Sequence, residues 1–144
     1  MLLAGLKVFK NNEIQGIGYK VCIKKGKNFY PVYHQNAGDV FELNKISIAK
    51  KNITIKNINL NIFVEYISAF HIFTQIKAAR VFKNSIQKVN SKEVIILKIL
   101  YKNITARGTK KHYFKTITNA ITIVAKEILP LMVVNWAFLL SFNL

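Results

Sequence analysis

"SAFHIFTQIKAARVF", Ser68 to Phe82, contains the change of period on which the fold turns. Ala69 to Phe73 is a short apolar run with strand character, and Thr74 then offers a hydroxyl in N-cap position. Ile76, Ala79, Phe82 and Ile86 follow at helical spacing. That spacing predicts an amphipathic helix over 75–86, with Lys77, Arg80, Lys83 and Lys88 outside it or at its edges. Asn84 to Ser91 closes the helix. His71, set between two phenylalanines, poses the functional question: it is either a chemical group or part of a strand-to-helix corner.

Working outward, Glu93 to Tyr101 is the strongest strand pattern. Val94, Ile95, Ile96, Leu97, Ile99 and Leu100 form a nearly continuous apolar run, as expected of a central strand. Upstream, Tyr19, Val21 and Ile23 alternate with Lys20, Cys22 and Lys24, the period of a half-buried strand. Lys25-Gly-Lys-Asn28 is a turn by composition, and in Phe29-Tyr-Pro-Val-Tyr33 the proline points to an edge strand or a bulge. Asn36-Ala-Gly-Asp39 turns the chain before Val40-Phe-Glu-Leu43. From Ile46 to Phe63 isoleucines alternate with Lys, Asn, Thr and Ser, giving one or two edge strands whose lysines discourage edge-to-edge pairing. Ile117 to Ile128 returns to strand character. The sum is an α+β domain, a mainly antiparallel β-sheet with one principal amphipathic helix, spanning residues 1–129.

Residues 130–144 form a separate expectation. Ile128 to Leu144 carries no charge, yet as a helix it would span roughly 25 Å, short of the ~30 Å hydrocarbon core. Pro130 and Asn135 weaken a spanning helix further. A C-terminal segment packed on the domain is the expectation, with membrane association or docking on a partner as alternatives. The N-terminus, MLLAGLKVFKNN, does not have the form of a signal peptide.

Charge narrows the function. Twenty-two Lys and Arg against six Asp and Glu leave a formal charge of +16 in 144 residues. The 21 Ile, 15 Asn and 20 Lys match an AT-rich coding bias, but that bias does not explain the scarcity of acids, whose codons include AT-rich ones. So large a charge attracts polyanions. Only Arg80 and Arg107 are arginines, so the side chain that reads bases bidentately is scarce and phosphate contact is implied. Cys22 is alone, which excludes an internal disulfide and fits a reducing compartment such as the cytoplasm.

Two basic clusters lie among aromatic residues. Lys20, Lys24, Lys25 and Lys27 gather on the first hairpin beside Tyr19, Phe29, Tyr30 and Tyr33. Arg107 leads to Lys110, Lys111, His112, Tyr113 and Lys115. Lysines on phosphates with bases stacked on rings suit single-stranded nucleic acid. The plain alternative has the rings in the core and the lysines on a solvated face. The expected nucleic-acid-binding residues are Lys20, Lys24, Lys25, Lys27, Tyr30, Arg107, Lys110, Lys111 and Lys115.

Catalytic patterns are weaker. His71 with Glu127 would suit a nucleotide-handling enzyme of the ADP-ribosyltransferase kind, with the carboxylate across a cleft. His34, His71 and His112 are widely spaced and offer no metal-ligand spacing. A Cys–His nucleophile built on Cys22 lacks a helix N-terminus to lower the thiol pKa. Gly16-Ile-Gly18 precedes a strand and lacks the third glycine of a dinucleotide loop. No cofactor, metal or small-molecule substrate is expected.

"GYKVCIKKGKNFYPVY" with "FELNK", then "SAFHIFTQIKAARVF" with "EVIILKILYKNITARG" and "TIVAKEI", resemble in pattern and order small accessory proteins of phages and other bacterial mobile elements. The resemblance covers most of residues 16–129. Ala69 stands where the pattern has Gly, which loosens the corner. What the resemblance implies, joined to the charge, is a non-enzymatic accessory protein that binds RNA or a ribonucleoprotein. The narrower expectation is an inhibitor of a host RNA-guided (CRISPR-Cas) nuclease, an anti-CRISPR protein.

Overall fold

The computed structural model describes residues 4–10, 12–32, 40–49, 53–59, 62–109 and 120–135. The elements are β1 (Ala4–Val8), β2 (Gln15–Lys25), β3 (Asn28–Pro31), β4 (Ser47–Ile48), β5 (Ile53–Asn59), β6 (Ile62–Ser68), β7 (Phe70–Phe73), α1 (Ile76–Gln87), β8 (Val94–Thr109) and β9 (Ile121–Val134). Every strand pairing is antiparallel, and α1 is the one helix among the described residues. The protein is an α+β fold. β5 and β6 make a two-stranded sheet of their own; the other seven strands share one sheet.

That larger sheet closes on itself. β8 pairs with β2 over Gln15↔Lys102 to Ile23↔Val94, and β2 meets β7 at Tyr19↔Phe73. β7 pairs with β9, and β9 returns to β8 along most of its length. β1, β3 and β4 attach outside this circuit. Cys22, Ile72, Leu97, Ile99, Ile123 and Ala125 pack inside it, with Phe29 and Phe41 added from its rim. Outside it, α1 lays Ile76, Ala79, Phe82 and Ile86 on Val21, Phe73, Val94 and Ile96. Burying each large apolar side chain contributes roughly 1.5–3 kcal/mol, so this one stripe accounts for the docking of the helix.

Two covered faces explain a departure from the sequence reading. β2 alternates as expected, but Lys20 and Cys22 are buried as well as Val21 and Ile23. The strand is lined by the helix on one side and by the interior of the circuit on the other. β8 is central as expected, but runs on to Thr109. It bends at Asn103, whose φ of 56° lies in the left-handed region that Asn tolerates. At that bend both strands of the β8–β9 ribbon change which residues they turn inward: Ile104 and Ala125 on one side, Ile99 and Ile128 on the other.

Three further expectations are corrected. Thr74 is not the N-cap. Its hydroxyl and amide both donate to the Ile121 carbonyl, at 3.5 and 3.2 Å, and Gln75 takes the cap position in extended conformation. The helix runs through Gln87, past the Asn84 start of its expected closure. No break in structure falls at 129, because β9 continues to Val134 and takes the first residues of the apolar segment into the sheet. Pro130 is tolerated there because it sits beside a register shift opposite Ile99, and its carbonyl accepts from the Asn44 amide at 2.8 Å. The turn expected at 36–39 and the remainder of 130–144 beyond Asn135 lie outside the described residues.

Candidate nucleic-acid interface

The β2–β3 hairpin turns through Gly26 and Lys27. Gly26 has φ 61°, at the first central position, which a type II′ turn reserves for glycine. Lys24, Lys25 and Lys27 are exposed around this turn. The Lys25 ammonium lies 4.8 Å from the centre of the half-buried Tyr30 ring, within cation–π range.

A lysine that sequence reading did not assign joins them. The β2–β8 register, Ile23↔Val94, carried two residues further sets Lys25 opposite Lys92, and the Lys24 amide donates to the Glu93 carbonyl at 2.9 Å. Lys92 is held by its own backbone. Its amide donates to Asn90 Oδ1 at 3.0 Å, and its carbonyl accepts from Gln87 Nε2 at 2.8 Å. The Gln87 amide group also donates to the Asn90 carbonyl at 3.1 Å and accepts from the Val94 amide at 2.8 Å. The last residue of α1 thus ties the connection to β8. A hydrogen bond with Lys25, then its like charge, holds the Lys92 ammonium below the ordinary lysine pKa. The signal for this in the sequence was a lysine one residue before the strongest strand, visible only once the register was known.

Lys20 stands apart from the set. It is 8% exposed, its Nζ donates to the His71 carbonyl at 3.2 Å, and it lies 5.8 Å from the ring centres of both Phe41 and Phe70. Its inward position on β2 corrects its assignment to the nucleic-acid surface. Arg107 is exposed but sits in the other half of β8, opposite Lys7 on β1. About 40 Å of strand contour separates it from the hairpin, so Arg107 and the hairpin lysines are not one surface patch. Lys110, Lys111 and Lys115 lie outside the described residues, as do Tyr33, His34 and His112.

His71 is half-buried on β7 opposite Val124, whereas Glu127 lies opposite Lys102 and Ile48. About 10 Å of strand lies between Val124 and Glu127. The His71 main-chain carbonyl accepts from Lys20 Nζ, a bond that does not involve the imidazole. A polar recess of about 330 Å³ opens at the β8 bend, lined by Glu13, Gln15, Lys102 and Asn103. No group of three or more His, Cys, Asp or Glu side chains suited to a metal ion occurs among the described residues, and no described helix is long and apolar enough to cross a membrane.

Cys22 is fully buried, and burial pushes its thiol pKa up to about 12, only partly opposed by the nearby Lys20. The proton is retained in the folded protein and lost near pH 9 once the chain unfolds. Stability from this group is therefore complete below pH 9 and falls as pH rises toward 12, by about 1.4 kcal/mol per unit. In urea unfolding between pH 8 and pH 11, wild type is expected to lose stability more steeply than Cys22→Ala. Parallel pH dependences would show that the thiol is not held protonated by the fold.

Compared with protein-family models, curated proteins and solved structures, the chain matches none.

Proposed function

We propose that this protein binds RNA, alone or within a ribonucleoprotein, through the β2–β3 hairpin and the adjoining α1–β8 connection. The observation that carries this reading is the gathering of Lys24, Lys25, Lys27 and Lys92 at one end of the sheet, beside Tyr30, on a chain of net charge +16. The narrower proposal is a non-enzymatic accessory protein of mobile-element origin, acting in the bacterial cytoplasm on a host RNA-guided nuclease. A positive hairpin of this kind would occupy a channel that otherwise holds guide or target strand.

Fluorescence anisotropy with a labelled single-stranded RNA, titrated at several salt concentrations, tests the interface. Lys24→Glu, Lys25→Glu and Lys27→Glu together are expected to weaken binding by about 10–100-fold and to flatten the salt slope by about 2. An unchanged slope removes the hairpin from the interface. A pull-down from bacterial lysate with and without nuclease treatment tests the narrower proposal: a protein partner retained after nuclease supports docking on a ribonucleoprotein, and recovery of nucleic acid alone supports direct phosphate binding.

A further inference from the structure

Lys25 and Lys92 come from positions 67 residues apart, yet the β2–β8 register sets them opposite one another. Like charges directly across an antiparallel pair repel. Here the Lys25 ammonium has a ring contact and the Lys92 backbone is fixed. Lys25 is drawn over Tyr30, and Lys92 has its amide fixed by Asn90 and its carbonyl fixed by Gln87. Paired across the two strands, with their side chains in contact, the two lysines offer one position where a single anion can meet both ammonium groups.

We propose that Lys25 and Lys92 form a clamp for a single phosphate group, with Tyr30 beneath Lys25 as its floor. This deepens the RNA-binding reading and rests on it for the source of the phosphate, a backbone phosphodiester of a single strand. The chemistry recognised is a tetrahedral oxyanion, which presents oxygens to both ammonium groups at once. Lys27 in the hairpin turn then meets a neighbouring phosphate, while Lys25 and Lys92 share one.

The depressed Lys92 pKa supplies the readout, since an anion between the two ammonium groups favours their charged forms. The experiment follows the Lys92 side chain of the full protein by NMR across a pH titration, in chloride, in inorganic phosphate at matched ionic strength, and with a short single-stranded RNA. Phosphate and RNA are both expected to move the Lys92 midpoint upward. In Lys25→Gln the midpoint is expected to start near the ordinary lysine value and to respond much less. A midpoint unmoved by both probes overturns the clamp, even if the hairpin binds RNA elsewhere. A response to phosphate without measurable RNA binding keeps the clamp and overturns the RNA reading.

Salt slopes provide a second arm. The double variant Lys25→Gln/Lys92→Gln is expected to lower the single-strand slope by about 0.7, the loss of one phosphate contact, and each single variant by no more than that. A double variant that lowers it by about 1.4, with affinity losses that multiply, assigns the two lysines to separate phosphates and overturns the clamp.

Discussion

Phe41→Ala is expected to destabilise the fold by about 3–5 kcal/mol, a large part of the total stability of a domain this size. Phe41 is fully buried and meets Phe70 edge-on, with ring centres 5.3 Å apart. Its backbone exchanges two hydrogen bonds with Phe29, at 2.7 and 3.0 Å, so the ring is a rim piece fastened to β3. Removing it opens a cavity at the mouth of the circuit and takes away one of the two rings flanking the Lys20 ammonium. Urea unfolding followed by tryptophan-independent circular dichroism is expected to show a lower midpoint with an unchanged slope. Phe41→Leu fills most of the space and is expected to recover much of the loss. A loss below ~1 kcal/mol for Phe41→Ala would mean that the rim collapses freely onto the vacancy.

Gly18 is the second position of large effect. A Cβ there would meet the Ile72 Cγ2 atom and, at 2.9 Å, the Phe73 carbonyl oxygen. Ile72 is fully buried and Phe73 belongs to the backbone pairing that closes β2 onto β7, so neither has room to yield. Gly18→Ala is expected to cost about 1–3 kcal/mol, and Gly18→Val more, through forced separation of the two strands. Gly16→Ala is a useful comparison. Its new Cβ would meet the hydroxyl end of the half-buried Tyr101, which can swing aside. Thermal unfolding of the three variants, with hydrogen exchange at the Tyr19 and Phe73 amides, tests this. Equal stabilities for Gly16→Ala and Gly18→Ala would show that the β2–β7 closure accommodates a methyl group.

These positions also show how far the sequence could be read. The 3.6 period of Ile76, Ala79, Phe82 and Ile86, and the continuous apolar run after Glu93, placed α1 and β8 because each burial stripe is local in sequence. Period two correctly made β2 a strand, but it could not reveal that the strand is covered on both faces. That depends on β7 and β9 returning to close the circuit. Lys20 was misassigned for this reason: a lysine between two apolar residues has the same pattern whether it faces water or an interior rim. Lys92 was missed for the complementary reason, since only the β2–β8 register brings it to Lys25. Residues 130–144 were set apart because they carry no charge and lie beyond the resemblance, neither of which marks the end of a strand; β9 runs through Pro130 at a register shift.

The closure of the sheet also orders events in time. β2 has its main partner, β8, about 80 residues later in the chain, and on a ribosome adding ~5–20 residues per second it waits roughly 4–16 s for that partner to be made. Only when β9 follows can the ring be completed. Throughout that interval the edge of β2 that later takes β8 has no partner from its own chain. Lysines spaced along such an edge repel their own kind. Lys20, Lys24 and Lys25 space like charge along β2, a device that discourages edge-to-edge pairing, and in the folded protein the first is buried while the other two stay at the surface.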